Sequence, residues 1–291
     1  MSRPASLWDK ILVEVFQKEI YLKSFRMISG GGPNQTVQLE TDQGSFFAKT
    51  NSDSNADIFT LEIKGLDYLR RHTFLKIPKI FGTGKIEAQN YLLMEWIPSG
   101  EPVKDYWEDL GRGLATLHQT TAKKFGLAED NYIAVLPQVN TEHDHWSDFF
   151  IENRLEKMVV QAASNGLLDK DLLGKLRKLY SQLPSVFPKE VPSLLHGDLW
   201  SGNVLVTGKG RPCLIDPAVY FGHREMDLAF SRLFGGFSTR FYQAYQEVLP
   251  VEPGFEDRLD LYNLYPLLVH LNLFGKSYLS SVEKVIKKFV D

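Results

Sequence analysis

One stretch constrains this chain more than any other: Leu194-Leu195-His196-Gly197-Asp198-Leu199-Trp200-Ser201-Gly202-Asn203-Val204-Leu205-Val206, followed by Pro212-Cys213-Leu214-Ile215-Asp216-Pro217. Its two short apolar runs, 204–206 and 213–215, read as buried strands joined by the Gly208-Lys209-Gly210 turn, a hairpin. Asp198 and Asn203 stand five positions apart and Asp216 thirteen further on, so the hairpin can bring all three to one end of the strand pair. Moving a γ-phosphoryl group to an alcohol needs a carboxylate that orients the hydroxyl and accepts its proton, and hard oxygen ligands that hold Mg²⁺ on the triphosphate. Asp198 suits the first task; Asn203 and Asp216 suit the second.

The spacing Asp198-x-x-x-x-Asn203 resembles the Asp-x-x-x-x-Asn part of the protein-kinase catalytic loop, and Ile215-Asp216-Pro217 stands where that family has Asp-Phe-Gly. The leading triplet is His-Gly-Asp rather than His-Arg-Asp. That variant is similar to the small-molecule kinases built on the protein-kinase fold, such as aminoglycoside and choline kinases. Alone, Gly197, Gly202 and Asn203 are ordinary turn residues, so the N-terminal half has to decide.

There the pattern repeats the expected order. Residues 6–21 carry Leu7, Ile11, Val15, Phe16 and Ile20 on one helical face, with Ser6 as N-cap. From Phe25 the period changes to that of strands, interrupted by Gly30-Gly31-Gly32-Pro33-Asn34. Consecutive glycines there let backbone N–H groups approach phosphates. The third strand closes on Phe47-Ala48-Lys49, and a helix over 56–71 carries Glu62 near its middle. In a kinase such a lysine contacts the α- and β-phosphates and is held by a glutamate on the next helix. Two further strands, 77–84 and 90–97, complete a five-stranded sheet. The second runs through Glu95-Trp96-Ile97 into Pro98-Ser99-Gly100, the expected hinge, whose backbone would bind adenine.

Beyond the hinge the chain is mainly helical, with helices expected over 106–119, 146–160, 240–248 and 255–278. His143-Asp144-His145 lacks a third ligand at a recognisable spacing and reads as a polar loop. Asp227 is placed to cap or brace a helix, and His270 with Asn272 can face the cleft. The net charge of −3 gives no basic footprint for nucleic acid, and Lys284, Lys287 and Lys288 read as the solvated face of a terminal helix. The single cysteine, Cys213, excludes an intrachain disulfide and suits a reducing cytoplasm. No apolar run reaches the roughly 18 residues of a membrane span, and the N-terminal residues lack an apolar stretch with a cleavage site. A cytoplasmic protein without membrane contact is the expectation.

Taken together, the phrases Gly30-Gly31-Gly32, Phe47-Ala48-Lys49, Pro137-Gln138-Val139-Asn140, Trp146-x-x-Phe149-Phe150, His196 to Asn203, Ile215-Asp216-Pro217, Tyr220-x-Gly222-His223-x-Glu225 and Phe234-Gly235-Gly236-Phe237 resemble the fructosamine kinases, or ketosamine-3-kinases. They cover nearly the whole chain. The Trp200-Ser201 pair separates this branch from aminoglycoside and choline kinases. The resemblance implies ATP-dependent phosphorylation of the sugar 3-hydroxyl in ketoamine adducts of amines or protein lysines, whose unstable product releases the amine: a deglycation activity. Carried onto this chain, it makes Asp198 the proton acceptor and Asn203 and Asp216 the metal ligands. Gly30, Gly31, Gly32, Lys49 and Glu62 then serve the phosphates, Glu95, Trp96 and Ile97 the adenine, and Trp200, Trp146 and His270 the sugar site. Many members have a cysteine directly after the three glycines and can be switched by a disulfide there; Pro33 in that place implies no such control.

The expected architecture is therefore an α+β, two-lobed protein-kinase-like fold. Residues 1–96 would form a nucleotide-binding lobe of five antiparallel strands and a helix, and residues 97–291 a mainly helical catalytic and acceptor-binding lobe with the catalytic hairpin. The expected ligands are ATP, Mg²⁺ and a ketosamine, free or protein-bound, acted on by a monomer. Two rivals remain: a kinase for another small hydroxylated amine, and a pseudokinase that binds partners without catalysis.

Overall fold

The computed structural model of the chain describes residues 6–28, 34–52 and 57–290. Helix α1 (Leu7–Phe16) starts where expected. The Ser6 hydroxyl accepts from the Asp9 amide and the Asp9 carboxylate accepts from the Ser6 amide, so two end groups are satisfied reciprocally. Strands β1 (Leu22–Met27), β2 (Gln35–Thr41) and β3 (Gly44–Asn51), helix α2 (Ile58–His72), and strands β4 (Ile80–Ile86) and β5 (Gln89–Glu95) follow. The strands form one antiparallel sheet in the order β1-β2-β3-β5-β4.

Register and the two-residue period of strands decide which way Lys49 points. Ala48 pairs with Leu93 and Lys49 with Leu92. Ala48, Leu93, Phe46 and Tyr91 pack with Ile11 and Leu12 of α1 in a small core on one face. Leu92 and Met94 turn to the other face and join Phe59 and Leu66 of α2 in the main core. Lys49 therefore faces α2, and a slip of one residue would turn it to α1. The strand expected over 77–84 starts only at Ile80. Pro78 has no N–H to give a ladder, and Lys76 instead bridges Cys213, its carbonyl accepting from the Leu214 amide at 3.0 Å.

The second half contains α3 (Tyr106–His118), the short hairpin β6 (Asn131–Ile133) and β7 (Leu136–Gln138), and α4 (Trp146–Phe149). A π-helical segment, Phe150–Leu155, continues α4 into α5 (Glu156–Ser164). One helix was expected here; the wider turn coincides with Arg154, fully buried, whose guanidinium lies 3.9 Å from the Tyr220 ring. Next come α6 (Lys170–Val186), β8 (Ser193–Leu195), β9 (Val204–Val206), β10 (Pro212–Leu214), β11 (Tyr220–Gly222), α7 (Glu225–Leu233), α8 (Thr239–Val248), α9 (Phe255–Phe274) and α10 (Leu279–Val290). Helix α9 ends four residues before the expected limit because Gly275, at φ +76°, stops it. The hairpin predicted from sequence is β9 paired with β10, and β8 pairs with β11.

The chain after β5 is tied to that hairpin. Ser99 bridges Thr207, the Gly100 amide donates to the Val206 carbonyl at 3.2 Å and the Val103 amide to the Gly210 carbonyl at 3.1 Å. The linker that leaves the sheet is thereby fixed to the hairpin along the expected hinge. Among the described residues no helix is long and apolar enough to cross a membrane.

Candidate active site

Three elements bring the predicted residues together. Lys49 projects from β3, Glu62 from α2, and Asp216 from the end of β10. The Lys49 Nζ stands 2.8 Å from Glu62 Oε1 and 2.5 Å from Asp216 Oδ1. Burial works against the lysine charge, but the Asp216 and Glu62 carboxylates outweigh it and hold the group protonated well above its ordinary range. Burial pushes Glu62 up to about 7; Lys49 opposes that shift and Asp216 adds to it. One ammonium thus serves two carboxylates, and the surplus is negative.

Asp198 and Asn203 follow β8. Asn203 Nδ2 donates to the Asp198 backbone oxygen at 2.9 Å and to its Oδ2 at 2.8 Å, which leaves the Asn203 amide oxygen as the group free to accept a cation. Burial raises the Asp198 carboxyl to about 7, helped by Asp216 and Asp227 and opposed by the Asn203 hydrogen bond. A proton acceptor works best with a pKa near the working pH, a requirement that a carboxyl raised in this way can meet.

The loop is held by residues the sequence did not assign to the site. Asp227, in the first turn of α7, accepts from the His196 amide at 2.7 Å, the Gly197 amide at 2.9 Å and His118 Nε2 at 3.1 Å. With its Nε2 proton given to Asp227, His118 accepts at Nδ1 from the Tyr245 hydroxyl, 2.8 Å away. His196 donates from Nε2 to the Ile215 carbonyl at 3.0 Å and accepts the Asp198 amide at Nδ1. Burial lowers the pKa of both histidines, consistent with these neutral tautomers. His196 therefore links the loop bearing Asp198 to the strand end bearing Asp216. Gly197, at φ +81°, has no room for a Cβ, which would stand 2.0 Å from the Ala218 carbonyl oxygen. The signal for Asp227 was an acid at a helix start, but nothing local tells a cap from a brace.

The segment expected to bind adenine follows β5. Glu95 spends its side chain on Lys76 Nζ at 2.6 Å and the Lys79 amide at 2.9 Å. Trp96 lies nearly parallel to Phe47, and Ile97 is buried. Gly30, Gly31, Gly32 and Pro33 lie outside the described residues.

The sugar-site expectations divide. Trp200 is 38% exposed and its indole lies over Gly202, where a Cβ would come within 2.2 Å of the ring. His270 donates from Nδ1 to the Pro266 carbonyl at 2.7 Å, which turns Nε2 into an acceptor. Phe234 joins the two, its ring 6.3 Å from Trp200 and 4.9 Å from His270. Its loop reaches the catalytic turn, because a Cβ on Gly236 would meet Ser201 Cβ at 2.8 Å. Trp146 does not belong to this wall. It is 4% exposed and stacks on His223 at 4.6 Å and Phe150 at 5.2 Å, inside the main core. An aromatic on the inner face at a helix start reads alike in sequence whether it fills a core or lines a cleft.

The fructosamine kinase family model matches residues 5–291. The chain belongs to the fructosamine kinase family. A probable ketoamine kinase of Enterococcus faecium is 42% identical over 264 residues, covering 90% of this chain and 94% of that protein. The chloroplastic protein-ribulosamine 3-kinase of Arabidopsis thaliana is 37% identical over 268 residues, 90% of this chain and 81% of that one. A crystal structure of a candidate fructosamine-3-kinase from Haemophilus somnus superposes with TM-score 0.88 at 29% identity, covering 98% and 97% of the two chains. The aminoglycoside phosphotransferase APH(4)-Ia, solved with ADP and hygromycin B, shares the kinase-like fold at TM-score 0.61 and 16% identity, covering 98% of this chain and all of the other. The α+β kinase-like fold and the family read from the sequence are thus correct.

Proposed function

We propose that the chain is an ATP-dependent kinase that phosphorylates the 3-hydroxyl of ketosamines, sugar adducts of amines or protein lysines, and so acts in deglycation. The observation that carries this reading is the meeting of Asp198, Asn203, Asp216, Lys49 and Glu62 beside the Trp200, Phe234 and His270 wall, in a chain of the fructosamine kinase family. Residues up to about 96 serve the nucleotide and those beyond serve chemistry and acceptor.

In the proposed reaction the sugar O3 attacks the γ-phosphorus of ATP. The new O3–P bond forms, the bridging β,γ P–O bond breaks with its electron pair leaving on ADP, and the O3 proton passes to Asp198. Lys49 places the phosphates, Glu62 holds Lys49, and the exposed indole of Trp200 supports the apolar face of the sugar. The donor set fits Mg²⁺: the Asn203 amide oxygen is left over from its bonds to Asp198, and Asp216 keeps its second oxygen beyond Lys49. Among the described residues no three His, Cys, Asp or Glu side chains are grouped so as to hold a metal ion by themselves. When bound there, Mg²⁺ would neutralise charge on the phosphate oxygens.

The test is ATP consumption by purified protein with Mg²⁺ against fructosyl-, ribulosyl- and erythrulosyl-amines, with an aminoglycoside and choline as controls and the phosphate position read by NMR. Phosphate on O3 is the expected result. Turnover on the controls alone would overturn the ketosamine reading and leave the catalytic roles standing; turnover on nothing would favour a binding protein without catalysis.

A further inference from the structure

Glu62 and Asp216 share Lys49 but come from distant parts of the chain, and one segment outside the site fastens both. Helix α2 rests on the residue after Asp216: a Cβ on Gly65 would stand 3.2 Å from Pro217 Cγ. Helix α2 also meets the segment that forms β6. The Tyr132 hydroxyl donates to Asp57 Oδ1, just ahead of α2, at 3.1 Å, and Lys64 pairs with Glu129.

From that segment a chain of buried amides reaches the backbone beyond Asp216. Arg154 carries donors only, so its contact to Asn140 Oδ1 at 2.7 Å fixes the Asn140 amide. Asn140 Nδ2 must then donate, and it does, to Asn131 Oδ1 at 2.9 Å. Asn131 Nδ2 in turn donates to the Val219 carbonyl at 2.8 Å. Gln138 Nε2 donates to Asn131 Oδ1 at 2.8 Å and the Ala218 carbonyl at 3.1 Å, while its Oε1 accepts the Tyr265 hydroxyl at 2.8 Å. Every amide orientation is thereby forced. Gln138 is 1% exposed, and Asn140 and Arg154 are fully buried.

The other side of the same backbone is held by the catalytic loop, through the Ala218 amide on the His196 carbonyl at 2.9 Å. Asp216 itself sits at φ +52°, in the left-handed region that an L-residue keeps only when its surroundings impose it. The Pro137-Gln138-Val139-Asn140 phrase, conspicuous in the sequence and outside the chemistry, holds the backbone two residues beyond Asp216, through Gln138 on the Ala218 carbonyl.

We propose that the Arg154, Asn140, Asn131 and Gln138 relay is the positioning device of the nucleotide end of the site, setting where the Asp216 carboxylate stands relative to Glu62 and Lys49. Gln138 and Asn131 are its delivering residues, and neither touches the reacting groups. The inference rests on the reading of Asp216 as a metal ligand. Hydrogen bonds that orient a metal ligand from behind are worth about 10- to 100-fold in metal affinity.

The experiment is calorimetric titration of the whole protein with a non-hydrolysable ATP analogue, once with Mg²⁺ and once with EDTA. Wild type, Gln138→Met and Asp216→Asn are compared; methionine keeps the length of glutamine and removes both donors. In wild type Mg²⁺ tightens binding, and in Gln138→Met that gain shrinks about tenfold while the EDTA affinity is unchanged. In steady state kcat falls with the acceptor KM unmoved. An unchanged Mg²⁺ gain in Gln138→Met overturns the proposal, and so does an equal loss with and without Mg²⁺, which is what general loosening would give. If Gln138→Met does not fold, Asn131→Leu takes its place, since it removes the donor to the Val219 carbonyl; an undiminished gain there overturns the proposal equally. Failure of the underlying reading looks different: Asp216→Asn would match wild type in both titrations.

Discussion

Asp198→Asn is expected to remove turnover and, at the same time, to make the protein more stable. The asparagine keeps an oxygen for the Asn203 Nδ2 bond that Asp198 Oδ2 accepts at 2.8 Å, so the loop retains its internal tie. What disappears is the proton acceptor. A positioned general base contributes about 10²- to 10⁴-fold, or about 2.7–5.4 kcal/mol at 1.36 kcal/mol per decade. The stability effect follows from burial, which with Asp216 and Asp227 raises this carboxyl from 3.8 to about 7 against the pull of Asn203. A folded-state value above the unfolded one means that the native state holds the proton longer. The group's contribution is then fully present below about pH 4 and is lost as pH rises toward 7. Three units set a ceiling of about 4 kcal/mol, and water at the open side of this half-buried group reduces it to about 1–2 kcal/mol. Asparagine carries no such penalty. Calorimetric melting should therefore show a gain of several degrees for the variant at pH 8, at about 2–4 °C per kcal/mol, and a smaller gain at pH 5. Activity by coupled ADP release should fall at least about a hundredfold. Turnover within tenfold of wild type, or a lower melting temperature at pH 8, would refute the assignment of Asp198 as a buried base with a raised pKa.

Other substitutions separate nucleotide, acceptor and framework. Lys49→Met should raise the KM for ATP and lower stability by about 1–3 kcal/mol at pH 8, less at pH 6, where Glu62, raised to about 7 by burial, takes up a proton and needs no counterion; equal melting curves at pH 8 would contradict the triad. Gly202→Ala puts a methyl 2.2 Å from the Trp200 ring and should raise the acceptor KM with the ATP KM unchanged, which initial-rate kinetics on both substrates would check. Gly197→Ala meets the Ala218 carbonyl at 2.0 Å from a φ of +81° and should give a protein that melts well below wild type, whereas a melting temperature within 1 °C would mean that the loop can give way. In the wild type, kcat/KM should climb with pH and level off above about 7, as the Asp198 carboxyl ionises; a flat profile from pH 5 to 9 would exclude it as the base.

What the sequence revealed and what it concealed divide along the range of the interactions. Lys49 was legible because strand alternation, a following helix and Glu62 are local patterns, and the β9–β10 hairpin because two apolar runs and a glycine turn lie within a dozen residues. The helix Lys170–Val186 has Leu172, Leu176, Leu179 and Leu183 buried at helical spacing, a local signal that the sequence reading passed over. Trp146, Asp227 and the Gln138 relay were not legible in their roles, because each is defined by a partner far along the chain. Asp227 meets residues 30 and 31 positions away, and Gln138 meets Ala218 and Tyr265, 80 and 127 away. A phrase such as Pro137-Gln138-Val139-Asn140 can mark a family from sequence, but only the fold shows that its amides end on the backbone after Asp216.

The charges of the cleft carry one more consequence. Among the described residues Glu62 and Asp216 share the Lys49 ammonium and Asp198 feels the Asp216 charge, so with these four groups ionised their charges sum to minus two. A nucleotide triphosphate is itself strongly anionic, and its Coulombic cost in a half-buried cleft is several times that in water. If the site binds a nucleotide as proposed, it would disfavour the free nucleotide and favour its complex with a divalent cation, which offsets part of that charge. The same offset would act on Asp198. Burial, helped by Asp216, raises its pKa; a cation held by Asn203 and Asp216, as proposed, would offset the Asp216 charge and favour the carboxylate. In that reading Asp198 would lose its proton as the substrate that needs it arrives, and a surplus of acids, which destabilises an ordinary interior, would couple nucleotide entry to readiness for proton transfer.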